Sequence, residues 1–387
     1  MNDNYILMHK NNPCGVLAVD RVSGSLTEFT ATAPEYTPFL GNADDRLMKI
    51  WWSHRAVPGS RKDMEEAIRR AGCENNLGYL ARNLALSLTD TYWICPADIE
   101  LSWDDINLYR LCGTDKKIIT YHNGTSYDPN ASLGGEMSKF WDVREPSPVL
   151  VKRAYAYYGQ QSINEVFASE IHSRQPAAVP FVRYEYRESE DNAKLACCDT
   201  FTSERIEFVS AYEILRSRKL RNSKSDYDSY IDICEENGLS RESMQKYMDY
   251  MILTDFAISN IDRHLQNFGV LRDADTMDLT GPAPLFDSGN SMFFNINRKT
   301  PLSRAELLEI EISSLHNSEE KMLKHIIDRN AAAAESMPAE EEVIGIYTEG
   351  GLPEERAGFI ASSYSNKQSL LKDFQKGIRI SLYRETH

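Results

Sequence analysis

The chain has 387 residues, 42% hydrophobic and 26% charged, with a formal net charge of -15. That length leaves room for roughly two or three structural units with substantial cores. The acidic balance argues against broad nucleic-acid or anionic-membrane binding, both of which need basic surface; the basic run at 216–224 reads as a solvated helix end.

Seven cysteines at irregular spacing, without a Cys-x-x-Cys, make neither a disulfide framework nor a zinc site. Reduced thiols in a cytoplasmic protein are expected. The N-terminus lacks a signal-peptide pattern, and no apolar run reaches the about eighteen residues that a membrane span needs.

In chain order, 5–10, 14–20 and 25–31 read as strands separated by Asn-Pro and Ser-Gly turns. Helical spacing follows at 44–54, 60–72 and 75–88, the second ending on Gly72 as a C-cap, with one more strand at 90–96. Residues 1–125 form an N-terminal mixed α/β region, and 123–132 reads as loop. In 126–215, strands are expected at 148–155, 181–186 and 194–201, with a helix over 160–174 whose apolar face carries Ile163, Val166, Phe167 and Ile171. Residues 216–387 are mainly helical, with helices at 240–259 (capped by Ser240), 303–312 (a capping box of Ser303 and Glu306), 318–334 and 353–364. Strands first, helices second, with a polar cluster where they meet, predicts a two-lobed α+β fold.

The polar cluster lies in SNIDRHLQNFGVLRD…PLFDSGN, where Asp262, Asn267 and Asp287 are spaced by strand-like runs at 267–273 and 283–287. A hairpin of those runs brings Asp287 beside Asn267. Two such oxygen ligands suit Mg²⁺, which fills its shell with phosphate and water. Asp262 is then free to accept a hydroxyl proton or orient the nucleophile. By itself Asp-x-x-x-x-Asn is as compatible with a surface loop, so the other parts of a phosphotransferase are needed upstream. They occur in order. Gly134 and Gly135 in SLGGEMSK (132–139) permit close backbone approach to phosphate, Lys152 ends an apolar strand, and Glu165 sits near the buried face of the next helix as its partner. Each has a plainer reading: a hairpin turn, a snorkelling edge lysine, a solvated glutamate. Their fixed order favours the phosphotransferase. Trp51-Trp52 and Cys197-Cys198 read as core, and 338–343 as a solvated helix start.

This arrangement resembles the HipA-like serine/threonine kinases, a bacterial group whose fold is related to the phosphoinositide lipid kinases. Ser132, Gly135 and Lys139 match that family's loop, Lys152 its strand lysine, Asn164-Glu165 its helix pair, Asp262, His264 and Asn267 its Asp-x-His-x-x-Asn, and Asp287 its second metal aspartate. The resemblance implies a protein-kinase-like fold, ATP and Mg²⁺ as cofactors, and γ-phosphate transfer to Ser or Thr of a protein substrate. It implies an ATP site of Ser132, Gly134, Gly135, Lys139, Lys152 and Glu165, metal ligands Asn267 and Asp287, and catalytic roles for Asp262 and His264. His264 reads equally as a structural histidine. It further implies Ser132 as an autophosphorylation site and, for some members, a toxin role with an antitoxin partner. Direct nucleic-acid contact and a membrane are not expected. Two alternatives stay open: a kinase-fold enzyme acting on a lipid or small molecule, and a nucleotide-binding pseudokinase serving as an interaction module. Antibiotic-type phosphotransferases carry His two residues before the catalytic Asp, where this chain has Asn260.

Overall fold

Alternating apolar residues in the first strands build an antiparallel sheet with one buried face. Strands β1 (Asn2–His9), β2 (Asn12–Asp20), β3 (Leu26–Ala31) and β4 (Tyr92–Pro96) take the order β3-β2-β1-β4. The Asp45–Arg55 helix, capped by the Asp44 carboxylate on Leu47 N, lays Met48 and Trp52 into the same core as Leu7, Leu17 and Trp93. The computed structural model describes residues 2–114, 126–154, 157–190 and 193–386; positions 123–125 of the expected loop lie outside them.

A second antiparallel sheet joins β5 (Ser138–Asp142), β6 (Val149–Arg153), β7 (Glu185–Glu188) and β8 (Lys194–Asp199) in the order β5-β6-β8-β7. Its register sets Lys139 directly opposite Lys152, so the two side chains share a face. The third sheet, β11-β10-β9, uses β9 (Ile206–Ser210), β10 (Gly269–Asp273) and β11 (Leu279–Pro282). Around it pack the Arg241–Ile258, Glu340–Glu349 and Glu354–Gln375 helices, in a core that also takes Ile163, Phe167 and Ile171 of the Gln160–Ser173 helix. That helix, sequentially part of the strand-rich region, is therefore anchored to the helical lobe. The α+β two-lobed expectation holds.

Several expected elements end early, each where tertiary contacts capture the backbone. The helix expected over 75–88 stops at Arg82, and Leu84 and Ala85 take left-handed φ of 53°. Arg55 Nε holds the Ala85 carbonyl at 2.7 Å there. The helix expected over 318–334 covers only Glu319–Leu323, because the Asp249 carboxylate accepts from Ile327 N at 3.2 Å and Asp328 N at 2.8 Å. The run 283–287 is not a hairpin strand: β10 pairs with β11, and Leu285 forms a parallel bridge to Phe181. Phe181 itself precedes β7, which begins only at Glu185. The Ser303–Glu306 capping box and the Ser240 cap are present, and Gly72 follows its helix with φ 70°. All seven cysteines are free thiols. Among the described residues no helix is long and apolar enough to cross a membrane.

Candidate functional site

A cleft of about 600 Å³ lies between the β5–β8 sheet and the helical lobe, and every candidate residue except Glu165 lines it. Glu165 stands immediately behind. Lys152 Nζ, on β6, donates to Glu165 Oε1 at 2.5 Å and to Asp287 Oδ1 at 2.7 Å. Lys152 and Glu165 are almost fully buried, whereas the Asp287 side chain keeps 26% of its surface exposed. Burial alone would discharge Lys152, but Asp287 and Glu165 hold its pKa well above the usual lysine value. Burial would raise Asp287 too, yet Lys152 and then Lys139 hold its carboxyl well below the usual carboxylate range. Glu165 is raised, since its burial outweighs its share of Lys152. Of the two carboxylates, Asp287 is the one held low, and its side chain reaches solvent.

The phosphate-loop candidate is clamped from the N-terminal region. Arg61, itself buried, donates to the Leu133 carbonyl at 2.9 Å and to the Lys139 carbonyl at 2.5 Å, and Val57 N donates to Ala131 O at 2.9 Å. Ser132 Oγ donates to the Leu86 carbonyl at 2.7 Å, so the loop is tucked in. The two glycines differ. Gly135 has φ 89°, and a Cβ there would meet Lys139 Nζ at 2.5 Å; Gly134 has open space around it. Lys139 is pushed down to about 8 by burial, with Asp287 opposing and Lys152 and Arg61 adding to the shift.

The catalytic-loop candidates are positioned by Arg263, which the sequence reading passed over. Its buried guanidinium pairs with Asp255 through Nε at 2.9 Å, donates to the Asn267 and Phe286 carbonyls, and reaches Ser288 Oγ at 3.2 Å. One side chain therefore ties the Asp262–Asn267 loop to the Asp287 turn, where Asp287 takes a left-handed φ of 58°. Its spelling next to Asp262 in DRH was the available signal. Asn290 Nδ2 donates to Asp262 Oδ2 at 2.8 Å, and Gln161 Nε2 donates to Asn290 Oδ1 at 2.6 Å. Asn164 bridges the Gly289 and Ser291 carbonyls at 2.8 and 2.7 Å, and Ser288 N donates to Glu165 Oε2 at 2.9 Å. Asn267 Nδ2 donates to the Asp262 carbonyl at 2.9 Å, leaving its amide oxygen as the atom for a cation. His264 Nδ1 accepts from Gln266 N at 3.2 Å and, among the described residues, bonds to neither Asp262 nor Asp287. That contact shapes the loop. Among the described residues no cluster of three or more His, Cys, Asp or Glu side chains is assembled for a metal. The pair Asn267 and Asp287 suits a hard cation that brings phosphate and water ligands with it.

The remaining walls follow the cleft's two ends. Val182, Tyr184, Leu150, Cys198, Phe201 and Phe286 give an apolar end suited to a flat aromatic ring. Phe39, Trp51 and His54 of the N-terminal region line the cleft too. Trp51 is core, as expected, and cleft wall as well.

Comparison with known proteins gives the family and the fold. The family described as HipA-like C-terminal domain matches residues 111–347, more than half of the chain. Among solved structures, HipA in a Shewanella oneidensis MR-1 toxin–antitoxin complex of HipA, HipB and operator DNA is 13% identical, with a TM-score of 0.56 over 97% of this chain and 98% of that one. The Helicobacter pylori proinflammatory kinase CtkA is 13% identical, with a TM-score of 0.48 over 63% of this chain and 92% of that one. At such identity the likeness to HipA shows a shared fold. No curated protein matches the chain.

Proposed function

The chain belongs to the HipA-like family, and we propose that it is an ATP- and Mg²⁺-dependent kinase that phosphorylates Ser or Thr of a protein. The observation that carries this reading is Lys152 Nζ shared between Glu165 and Asp287 at the wall of a cleft that Asp262 also lines. Bound ATP with Mg²⁺ supplies the transferable phosphoryl group and the counter-charge for its oxygens. Lys152, oriented by Glu165, and Lys139 beside it offer cations to phosphate. Asn267 and Asp287 would hold the metal. Asn290 occupies one carboxylate oxygen of Asp262, leaving Oδ1 to accept the acceptor hydroxyl's proton. Arg263 fixes both loops, and His264 shapes the first of them.

Autophosphorylation at Ser132 belongs to the same reading. Its hydroxyl is engaged with Leu86 O in the tucked-in loop, so modification requires that bond to break and the loop to leave. A HipB-like antitoxin is the partner proposed by analogy with the HipA complex. The expectation of no nucleic-acid contact gains nothing from that likeness, since the complex includes operator DNA.

The test is intact mass and peptide mapping after incubation with Mg-ATP, for wild type beside Asp262→Asn. Phosphate on the wild type alone, mapped to Ser132, is the expected result. Absence of transfer to the chain itself and to a dephosphorylated protein extract would overturn the kinase reading. Phosphate confined to other residues would remove Ser132 alone.

A further inference from the structure

One carboxylate in the cleft has no task in the chemistry above. Glu213 stands in the first turn of the Ala211–Arg216 helix and lines the cleft together with Tyr212, His54 and Trp51. Its place relative to the catalytic loop is fixed by hydrogen bonds. Tyr212 N donates to Leu265 O at 2.9 Å, Ala211 N donates to Phe268 O at 2.9 Å, and Gln266 Nε2 meets His54 Nδ1 at 3.1 Å. The Tyr212 and His54 rings meet edge to face at 5.2 Å. This wall is thus bolted to the segment that begins with Asp262, and the apolar end lies on other elements of the cleft.

The charges around Glu213 leave it uncompensated. Arg55 is committed to Asp90, with guanidinium nitrogens 2.7 and 2.8 Å from its two oxygens. Arg272 is committed to Glu207 at 2.9 and 2.7 Å and to the Tyr92 hydroxyl at 3.0 Å. Among the described residues no cation pairs with Glu213, whose carboxylate meets the Ser210 hydroxyl at 3.4 Å and accepts from the Ser210 backbone N–H. Burial, opposed by Arg272 and reinforced by Asp90, pushes its carboxyl up to about 7. The Trp51 and Tyr212 ring faces are already covered, by Arg55 at 4.6 Å and Arg216 at 5.6 Å, so in this wall it is the Glu213 carboxylate that suits an incoming cation. The net charge of -15 attracts such a partner as well.

We propose that Glu213, in the cleft wall it shares with Trp51 and Tyr212, forms an acceptor subsite that takes a Lys or Arg side chain flanking the phosphorylated hydroxyl. The subsite rests on the kinase reading. A simpler role for Glu213 is helix capping, since Ser210 and Glu213 have capping-box spacing and Ser210 Oγ accepts from Glu213 N at 3.2 Å. Glutamine keeps that capacity and removes the charge, so Glu213→Gln separates the two roles.

The experiment offers a dephosphorylated peptide digest of a bacterial proteome to wild type, Glu213→Gln and Glu213→Lys with Mg-ATP, and sequences the products. Synthetic Ser peptides with Arg, Gln or Glu flanks then give kcat/KM. The wild type should prefer basic flanks over neutral ones by about tenfold to a hundredfold, the range of a charge-assisted hydrogen bond. In Glu213→Gln the ratio should fall towards one while the KM for ATP holds, and in Glu213→Lys it should turn towards acidic flanks. Transfer without basic preference, or a preference surviving in Glu213→Gln, overturns the subsite and leaves the kinase standing. No transfer to any peptide by a wild type that does transfer phosphate to itself or to protein extract overturns the subsite alone, and no transfer to any of the three overturns both.

Discussion

Two buried charge clusters in this protein, each pairing carboxylate with cation, serve opposite ends. At the seam between the N-terminal sheet and β9–β10, Glu207 accepts from Arg272, Thr91 and His9, and neither Glu207 nor His9 has any exposed surface. In the cleft, Lys152 serves Glu165 and Asp287, and Asp287 reaches solvent. The seam is closed: its carboxylate has a cation and several donors, and neither it nor His9 reaches solvent. The cleft cluster is open: two carboxylates share one buried lysine, and Asp287 keeps exposed surface facing a second lysine, Lys139, whose pKa burial lowers to about 8. A buried ion cluster signals function when it keeps an unfilled charge facing a cavity, and signals architecture when it does not.

The largest expected effect falls on the cleft. Asp262→Asn should lower phosphotransfer by about a hundredfold to ten-thousandfold, the usual worth of a general base, with nucleotide affinity retained; a single-turnover assay beside a binding titration checks it. On the seam, Glu207→Gln should cost about 3–5 kcal/mol of stability by leaving Arg272 buried and unpaired, read by urea unfolding. Burial would raise the Glu207 carboxyl, but Arg272 and His9 hold it well below its ordinary value of 4.5. Its contribution is therefore complete above pH 4.5 and lost as pH falls below it, so the variant should also flatten the acid limb of the stability curve.

Smaller effects sharpen the contrast inside the cleft. Gly135→Ala should weaken Mg-ATP binding by about 1–3 kcal/mol, through left-handed strain and displacement of Lys139, while Gly134→Ala leaves the fold undisturbed. Lys139, at about 8, is cationic below that pH and neutral above it. Nucleotide affinity should therefore decline as pH rises from 7 to 9, by about tenfold at most, and Lys139→Arg should flatten the decline.

How much of this was legible in the sequence depends on the distance over which each contact acts. Lys152, Glu165, Asp262, Asn267 and Asp287 could be found because local elements set their spacing. The side chains that orient them were hidden, because packing between remote elements selects them. Gln161 and Asn290 meet across 129 positions, and Arg61 reaches Lys139 O across 78. Arg263 was adjacent to a motif residue, yet its role exists only once Asp255 and the Asp287 turn converge on it. The elements read too long, at 75–88 and 318–334, share that cause: Arg55 and Asp249 take up backbone groups that helical periodicity alone would have kept.

The most direct test of the account is the rise in melting temperature on adding Mg-ATP to wild type, Lys152→Met and Glu207→Gln. A rise is expected in wild type, none in Lys152→Met, and in Glu207→Gln a lower starting temperature with the same rise. No rise in wild type, or an undiminished rise in Lys152→Met, would contradict the assignment of the cleft cluster to nucleotide binding.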